Sequence, residues 1–346
     1  MRMNKLGDTD ILVSEICLGT MTYGSQNTEK EGHSQLDVAF ERGVNFFDTA
    51  EMYPFPSSSM TFGKTEEIIG NWIKSRHNRE SIVIASKIVG PSSRFSHVRD
   101  GKIKFNKKHL TEAVDGSLTR LQTDYIDLYQ THWPERPANY FGQLGYKHDA
   151  NAEWSSFSET LEVMNDILLS GKVRSFGVSN ETSWGLSEQL KIAEKFNYPR
   201  PASIQNPYNL LNRTFEIGLA EISIREQCGL LAYSPLGFGA LSGKHLNGVL
   251  DSKSRHALFP EFGRYFNKHA DVATAQYVEL AKKNGMTAAQ MALVFVNTQE
   301  FLTSNIIGAR TLKQLNENLD TIGMKLSSEV ISEIEGIHLS NSNPSP

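Results

Sequence analysis

The chain has 346 residues, and its 35 basic and 39 acidic side chains nearly balance at a net charge of -4, which offers nucleic acid no basic stripe and a membrane surface no polybasic patch. No stretch nears the roughly 18 consecutive apolar residues of a membrane span, and Met1 to Thr20 lacks the apolar core of a signal peptide. Cys17 and Cys228 lie far apart without CxxC spacing, so a cytoplasmic protein with a small neutral or anionic partner is expected and a disulfide framework is not.

In chain order, "KLGDTDILVSEI" carries a Gly-Asp turn between two extended pieces and predicts an N-terminal β-hairpin, placed as a plug at the bottom of the fold. "EICLGT" is the first of eight short apolar or β-branched runs. The others are "VNFFDT", "SIVIASK", "YIDLYQTH", "VRSFGVSN", "ASIQNP", "GLLAYSP" and "SNIIGA". Helical spacing fills the gaps, at Leu36, Ala39 and Phe40, at Ile68, Ile69, Trp72 and Ile73, and at Leu161, Met164, Ile167 and Leu168. Continuous apolar runs fit strands covered on both faces, as in parallel sheets. Eight such units predict a (β/α)8 TIM barrel, a single domain over residues 1–346.

Three connections exceed the few residues of an ordinary βα loop: Tyr53 to Lys64, Ile88 to Asn106 and Trp133 to Ser156. Each follows the C-terminal end of a predicted strand, the face on which barrels build active sites. A fourth irregular region, about Leu236 to Asn267, follows the seventh run.

Polar groups end the runs: Asp48 in "FFDTA", Lys87 in "IVIASK", His132 in "LYQTHW", Ser179 and Asn180 in "FGVSN", and Gln205 in "SIQNP". Singly, each has an ordinary explanation. A lone Asp there is more often a cap, a lone Lys is usually solvated, and Tyr53 before Pro54 reads as a packed loop aromatic. Together they make chemical sense. An ammonium beside a phenol favours the phenolate and so makes Tyr53 a better acid, Asp48 would orient Lys87, and His132 would donate to a substrate oxygen. The set reads as a proton donor aimed at a carbonyl.

These residues resemble the aldo-keto reductases, a family of NADPH-dependent barrel enzymes with an Asp-Tyr-Lys-His tetrad. The resemblance runs from "LGTMTYG" to "QLNENL", through "FDTAEMY", "ASK", "DYIDLYQTHWP" and "GKVRSFGVSN". Within the family, "TAEMYPFP", "QTHWPERPANYFG" and "GVSNET" are most similar to the bacterial Tas-like branch. The resemblance implies Asp48, Tyr53, Lys87 and His132 as catalytic residues and NADPH as cofactor. It implies that Ser179, Asn180 and Gln205 bond the nicotinamide carboxamide and that Tyr233 stacks on the ring. "SPLGFGALSGK", with Ser234, Leu236, Gly237 and Lys244, would wrap the pyrophosphate; the glycines do not fit GxGxxG. After the last strand, Gly308, Arg310 and Gln314 would meet the ribose phosphate end and Asn318 the adenine.

The function implied is reduction of an aldehyde or ketone to an alcohol, with the proton from Tyr53 and no metal, since HExxH and HxH motifs are absent. Two rivals stand beside it. One is an NADP(H)-binding regulatory subunit with little turnover, and the other a barrel aldolase with Lys87 as Schiff-base lysine.

Overall fold

All eight apolar runs become barrel strands in the computed structural model, which describes residues 1–248, 255–258 and 260–346. The barrel strands are β3 (Ile16–Gly19), β4 (Phe46–Asp48), β5 (Val83–Ile88), β6 (Ile126–Thr131), β7 (Val173–Ser179), β8 (Ser203–Pro207), β9 (Gly229–Tyr233) and β10 (Leu302–Ile307), after an N-terminal pair β1 (Met3–Lys5) and β2 (Leu12–Ser14). Each barrel strand pairs in parallel with the next, and β10 pairs with both β9 and β3, which closes the ring. Residues of β5 and β6 are buried at every position, the burial that continuous apolar runs require.

Helices cover the outside for the reason their spacing predicts. Helix Glu29–Glu41 starts at a Thr28 cap that trades bonds with Glu31, and it buries Leu36 and Ala39. Helix Lys64–Arg76 buries Ile68, Ile69, Trp72 and Ile73, while Phe157–Leu169, capped by Ser156, buries Leu161, Met164 and Ile167. Full burial of each such large side chain stabilises the fold by about 1.5–3 kcal/mol.

Strands β1 and β2 pair antiparallel as the predicted hairpin. Its Leu6, Ile11 and Val13 pack with Cys17, Phe46, Val83, Leu128 and Ala202 inside the barrel, so the hairpin stops the end opposite the long loops. Gly7 makes this possible. Its φ is +62°, and a Cβ there would lie 2.6 Å from the Ala202 carbonyl oxygen. The three long loops leave the C-terminal ends of β4, β5 and β6 as expected. Among the described residues no helix is long and apolar enough to cross a membrane.

Candidate active site

The predicted tetrad converges at the C-terminal ends of neighbouring strands. Asp48 ends β4 beside Ala85 of β5, and Lys87 lies two residues further along β5, on the same inward face. Lys87 is wholly buried, and its Nζ donates to Asp48 Oδ1 and Oδ2 at 2.8 and 2.7 Å and to the Thr49 carbonyl at 2.7 Å. The same Nζ lies 5.2 Å from the Tyr53 ring centroid. His132 follows β6, and its ring meets that of Tyr53 nearly edge-on, at 5.6 Å and 81°.

This geometry disfavours the aldolase reading. A Schiff base needs an amine open to attack a carbonyl. Lys87 Nζ is buried and bonded to three oxygens.

Burial first, and the nearby Lys87 charge second, hold the His132 imidazole well below its ordinary pKa. The ring is therefore neutral near pH 7. Its Nδ1 is buried and meets no partner among the described residues, which favours the single proton on Nε2.

The residues implied for the nicotinamide end join the tetrad through hydrogen bonds. Gln205 Nε2 donates to Asp48 Oδ1 at 2.8 Å, and Ser179 Oγ donates to the Gln205 carbonyl at 2.8 Å. Asn180, left-handed at φ 52°, donates from Nδ2 to the His132 carbonyl at 2.9 Å and accepts from the Tyr233 hydroxyl at 2.6 Å. Burial pushes the Tyr233 phenol well above its ordinary range, so it stays a donor.

Whether a dinucleotide fits can be tested on the backbone after β9. Ser234, Gly237, Phe238, Gly239 and Gly243 all have positive φ, which winds the segment into tight turns in which the Gly237, Gly239 and Gly243 N–H groups donate to the Ser234, Leu236 and Ala240 carbonyls, each at 2.9 Å. Lys244 follows with an exposed side chain, while the Leu236 side chain packs on the core. After β10, Gly308 has nothing within 4 Å of its Cβ position. Arg310 is exposed at the start of helix Leu312–Leu319. Gln314 Oε1 accepts from the Arg310 and Thr311 backbone as part of a capping box, and Asn318 Nδ2 donates to the Gly308 carbonyl at 3.3 Å. The residues present therefore fit a phosphate-bearing cofactor.

Three site residues escape sequence reasoning. Gln130 sits opposite Lys87 in the β5–β6 register, and its Oε1 accepts from Gln205 at 3.3 Å. Glu51, two residues before Tyr53, is buried and accepts from the Val89 N–H at 2.8 Å and from Arg99 at 2.9 and 2.8 Å. Arg264 lines a cleft at the mouth with Asn180 and part of the loop after His132. Gln130 alone had a sequence signal, as a polar residue inside an apolar run.

Among the described residues no group of three or more His, Cys, Asp or Glu side chains is arranged to hold a metal ion.

A closed (β/α)8 barrel that gathers Asp, Tyr, Lys and His at its strand ends is the frame of a carbonyl-reducing oxidoreductase. The aldo/keto reductase family model matches residues 15–338, and the chain belongs to that family. It is 45% identical to Protein tas of Escherichia coli (strain K12) over 346 residues, all of both chains, and so falls on the bacterial Tas-like branch. It is 31% identical to the uncharacterized oxidoreductase YrpG of Bacillus subtilis (strain 168), over 97% of this chain and 96% of that one. An aldo-keto reductase of Babesia bovis is 38% identical over 69% of this chain and 88% of its own.

Proposed function

We propose that this protein is an NADPH-dependent reductase that turns an aldehyde or ketone into the alcohol, with Tyr53 as the proton donor. The observation that carries the reading is the buried Lys87–Asp48 pair beside the Tyr53 ring, with His132 edge-on to the same ring. A cation beside a phenol eases loss of its proton. Asp48 holds that cation in place, and Gln205 holds Asp48. A neutral His132 with its proton on Nε2 donates to the carbonyl oxygen and so polarises the carbon for attack. NADPH, when bound, supplies the hydride.

In this reading Ser179, Asn180 and Gln205 hold the carboxamide, the Tyr233 ring supports the nicotinamide, and Ser234 to Lys244 hold the pyrophosphate. Arg310 binds the 2′-phosphate with its planar fork, beside Gly308, Gln314 and Asn318. The unit that acts is one barrel domain over residues 1–346, a cytoplasmic enzyme whose partner is a small carbonyl compound rather than nucleic acid or membrane.

Steady-state NADPH consumption over an aldehyde panel tests the activity. Tyr53→Phe should keep NADPH affinity while turnover falls by a factor on the order of 10²–10⁴, the usual contribution of a positioned proton donor. Turnover near that of the parent would remove Tyr53 as the acid. NADPH binding without consumption on any aldehyde would favour the regulatory-subunit reading instead.

A further inference from the structure

The interior face of β6 carries Leu128 and then Gln130. Leu128 packs with the apolar side chains of the hairpin, the ordinary filling of a barrel interior. Gln130 is just as fully buried but polar. Its Nε2 meets no partner among the described residues, which is costly for a buried amide and calls for a reason.

The reason lies across β7. In the β6–β7 ladder Gln130 faces Gly177, which has no side chain, and the Gln130 side chain passes over that strand to β8, where its Oε1 accepts from Gln205 Nε2 at 3.3 Å. The other hydrogen of the same Gln205 amide goes to Asp48 Oδ1 at 2.8 Å. Asp48 is paired with Lys87, so it is a carboxylate and only accepts. The Gln205 nitrogen must therefore face Asp48, and Gln130 takes the hydrogen that Asp48 leaves. An amide with both hydrogens engaged is fixed in tilt as well as in orientation.

That fixes the other end of the amide. Gln205 Oε1 bonds nothing among the described residues, yet it is not sealed from solvent as Gln130 Nε2 is, so it opens toward the mouth of the barrel. The polar groups around it are already engaged. Asn180 Oδ1 accepts from the Tyr233 hydroxyl at 2.6 Å, and Asn180 Nδ2 donates to the His132 carbonyl at 2.9 Å and to Ser179 Oγ at 3.2 Å. Ser179 Oγ spends its proton on the Gln205 carbonyl. Of the side-chain oxygens of Ser179, Asn180 and Gln205, Gln205 Oε1 is thus the one that carries no bond, and a group arriving with N–H donors meets it.

We propose that Gln130 is a positioning residue for the cofactor: by holding the second Nε2 hydrogen of Gln205, it aims Gln205 Oε1 at the N–H donors of the nicotinamide carboxamide. Gln130 thereby sets the preference for an amide at that place from inside the barrel, without touching the cofactor. This rests on the reductase reading, and the experiment separates the two.

Calorimetric titration compares NADP⁺ with its 3-acetylpyridine analogue, in which a methyl ketone replaces the carboxamide and offers no N–H. The proteins are the parent, Gln130→Met, Gln130→Leu, Gln205→Met and the double variant Gln130→Met with Gln205→Met. The parent should prefer NADP⁺ by about three- to tenfold, the scale of one neutral hydrogen bond. Both Gln130 variants should cut that preference to about twofold or less, because each removes the acceptor while their shapes differ. Affinity for 2′,5′-ADP, which reaches only the adenosine end, should stay parental. In the Gln205→Met background, Gln130→Met should change the preference no further, since the side chain it acts through is gone. A preference kept in both Gln130 variants, a change in only one of them, an equal loss of 2′,5′-ADP affinity, or a further change in the double variant would each overturn the assignment and leave the reductase reading standing. A parent that binds both dinucleotides equally would overturn the Gln205 contact, and with it the role of Gln130. A parent that binds 2′,5′-ADP but neither dinucleotide, or none of the three, would instead refute the reductase reading on which the assignment rests.

Discussion

Lys87→Met separates what the buried ion pair does for the fold from what it does for the chemistry. Asp48 is 4% exposed and takes its side-chain bonds from Lys87, at 2.8 and 2.7 Å, and from Gln205, at 2.8 Å. Methionine replaces the lysine stem with an unbranched apolar chain and leaves a buried carboxylate with one amide donor. Breaking a buried pair in this way costs about 3–5 kcal/mol, a large share of the roughly 5–15 kcal/mol that keeps a typical protein folded. Adding Asp48→Asn removes the uncompensated charge. What then remains is mainly the Thr49 carbonyl that Lys87 no longer reaches, a defect of about 1–3 kcal/mol. The double variant should therefore be more stable than Lys87→Met by roughly 2 kcal/mol, while turnover in both stays down by about 10²-fold or more. Urea midpoints and NADPH consumption, measured on the same preparations, give the two quantities. A double variant no more stable than the single would refute the charge argument. A Lys87→Met enzyme within about tenfold of parental turnover would refute the assignment of Lys87 to the proton donor.

Two further outcomes follow from the site. Arg310→Ala should weaken NADPH binding by about 1.5–3 kcal/mol and leave NADH nearly unchanged in a fluorescence titration, since only the 2′-phosphate is lost as a partner; equal losses would mean that Arg310 acts through the loop. His132 has its pKa lowered on folding, so below about pH 6.5 the unfolded chain takes up a proton that the folded chain refuses, and stability falls as pH drops, by at most about 1.4 kcal/mol per pH unit from this group. The difference in urea midpoint between pH 7.5 and 5.5 should be smaller in His132→Gln than in the parent, and an equal difference would show that His132 is not held neutral.

The barrel was legible because a strand covered by helices outside and by side chains inside has no polar face. Its sequence is then an unbroken apolar run, as in "SIVIASK", and a polar residue at the end of such a run stands out. Asp48, Lys87 and His132 stood out for that reason, and the structure brings them together with Tyr53. Loops offered no comparable signal. Of the apolar residues after His132, Phe141 packs its ring on Trp133 and Tyr140, but Leu144 and Tyr146 remain 70% and 59% exposed. Periodicity could not sort them, because a loop has no repeating face. Arg264 was invisible for another reason: its place depends on segment 343–346 and on Gly142, both distant in sequence.

The same distinction explains how Tyr53 reaches Lys87 although it lies five residues beyond the end of β4. The β4–β5 ladder does not stop with the strand: Thr49 N–H donates to the Ala85 carbonyl at 2.8 Å and Glu51 N–H to the Lys87 carbonyl at 3.2 Å. The Glu51 carboxylate then binds the Val89 N–H on the same strand's extension and Arg99 in the next loop. A buried carboxylate without such partners would be costly, so these bonds specify one arrangement of the segment. Tyr53 is thereby tied to the strand that carries Lys87, by backbone bonds and one ion pair rather than by turn propensity. An Asp and a Tyr five residues apart can act as one unit because the neighbouring strand measures the distance between them.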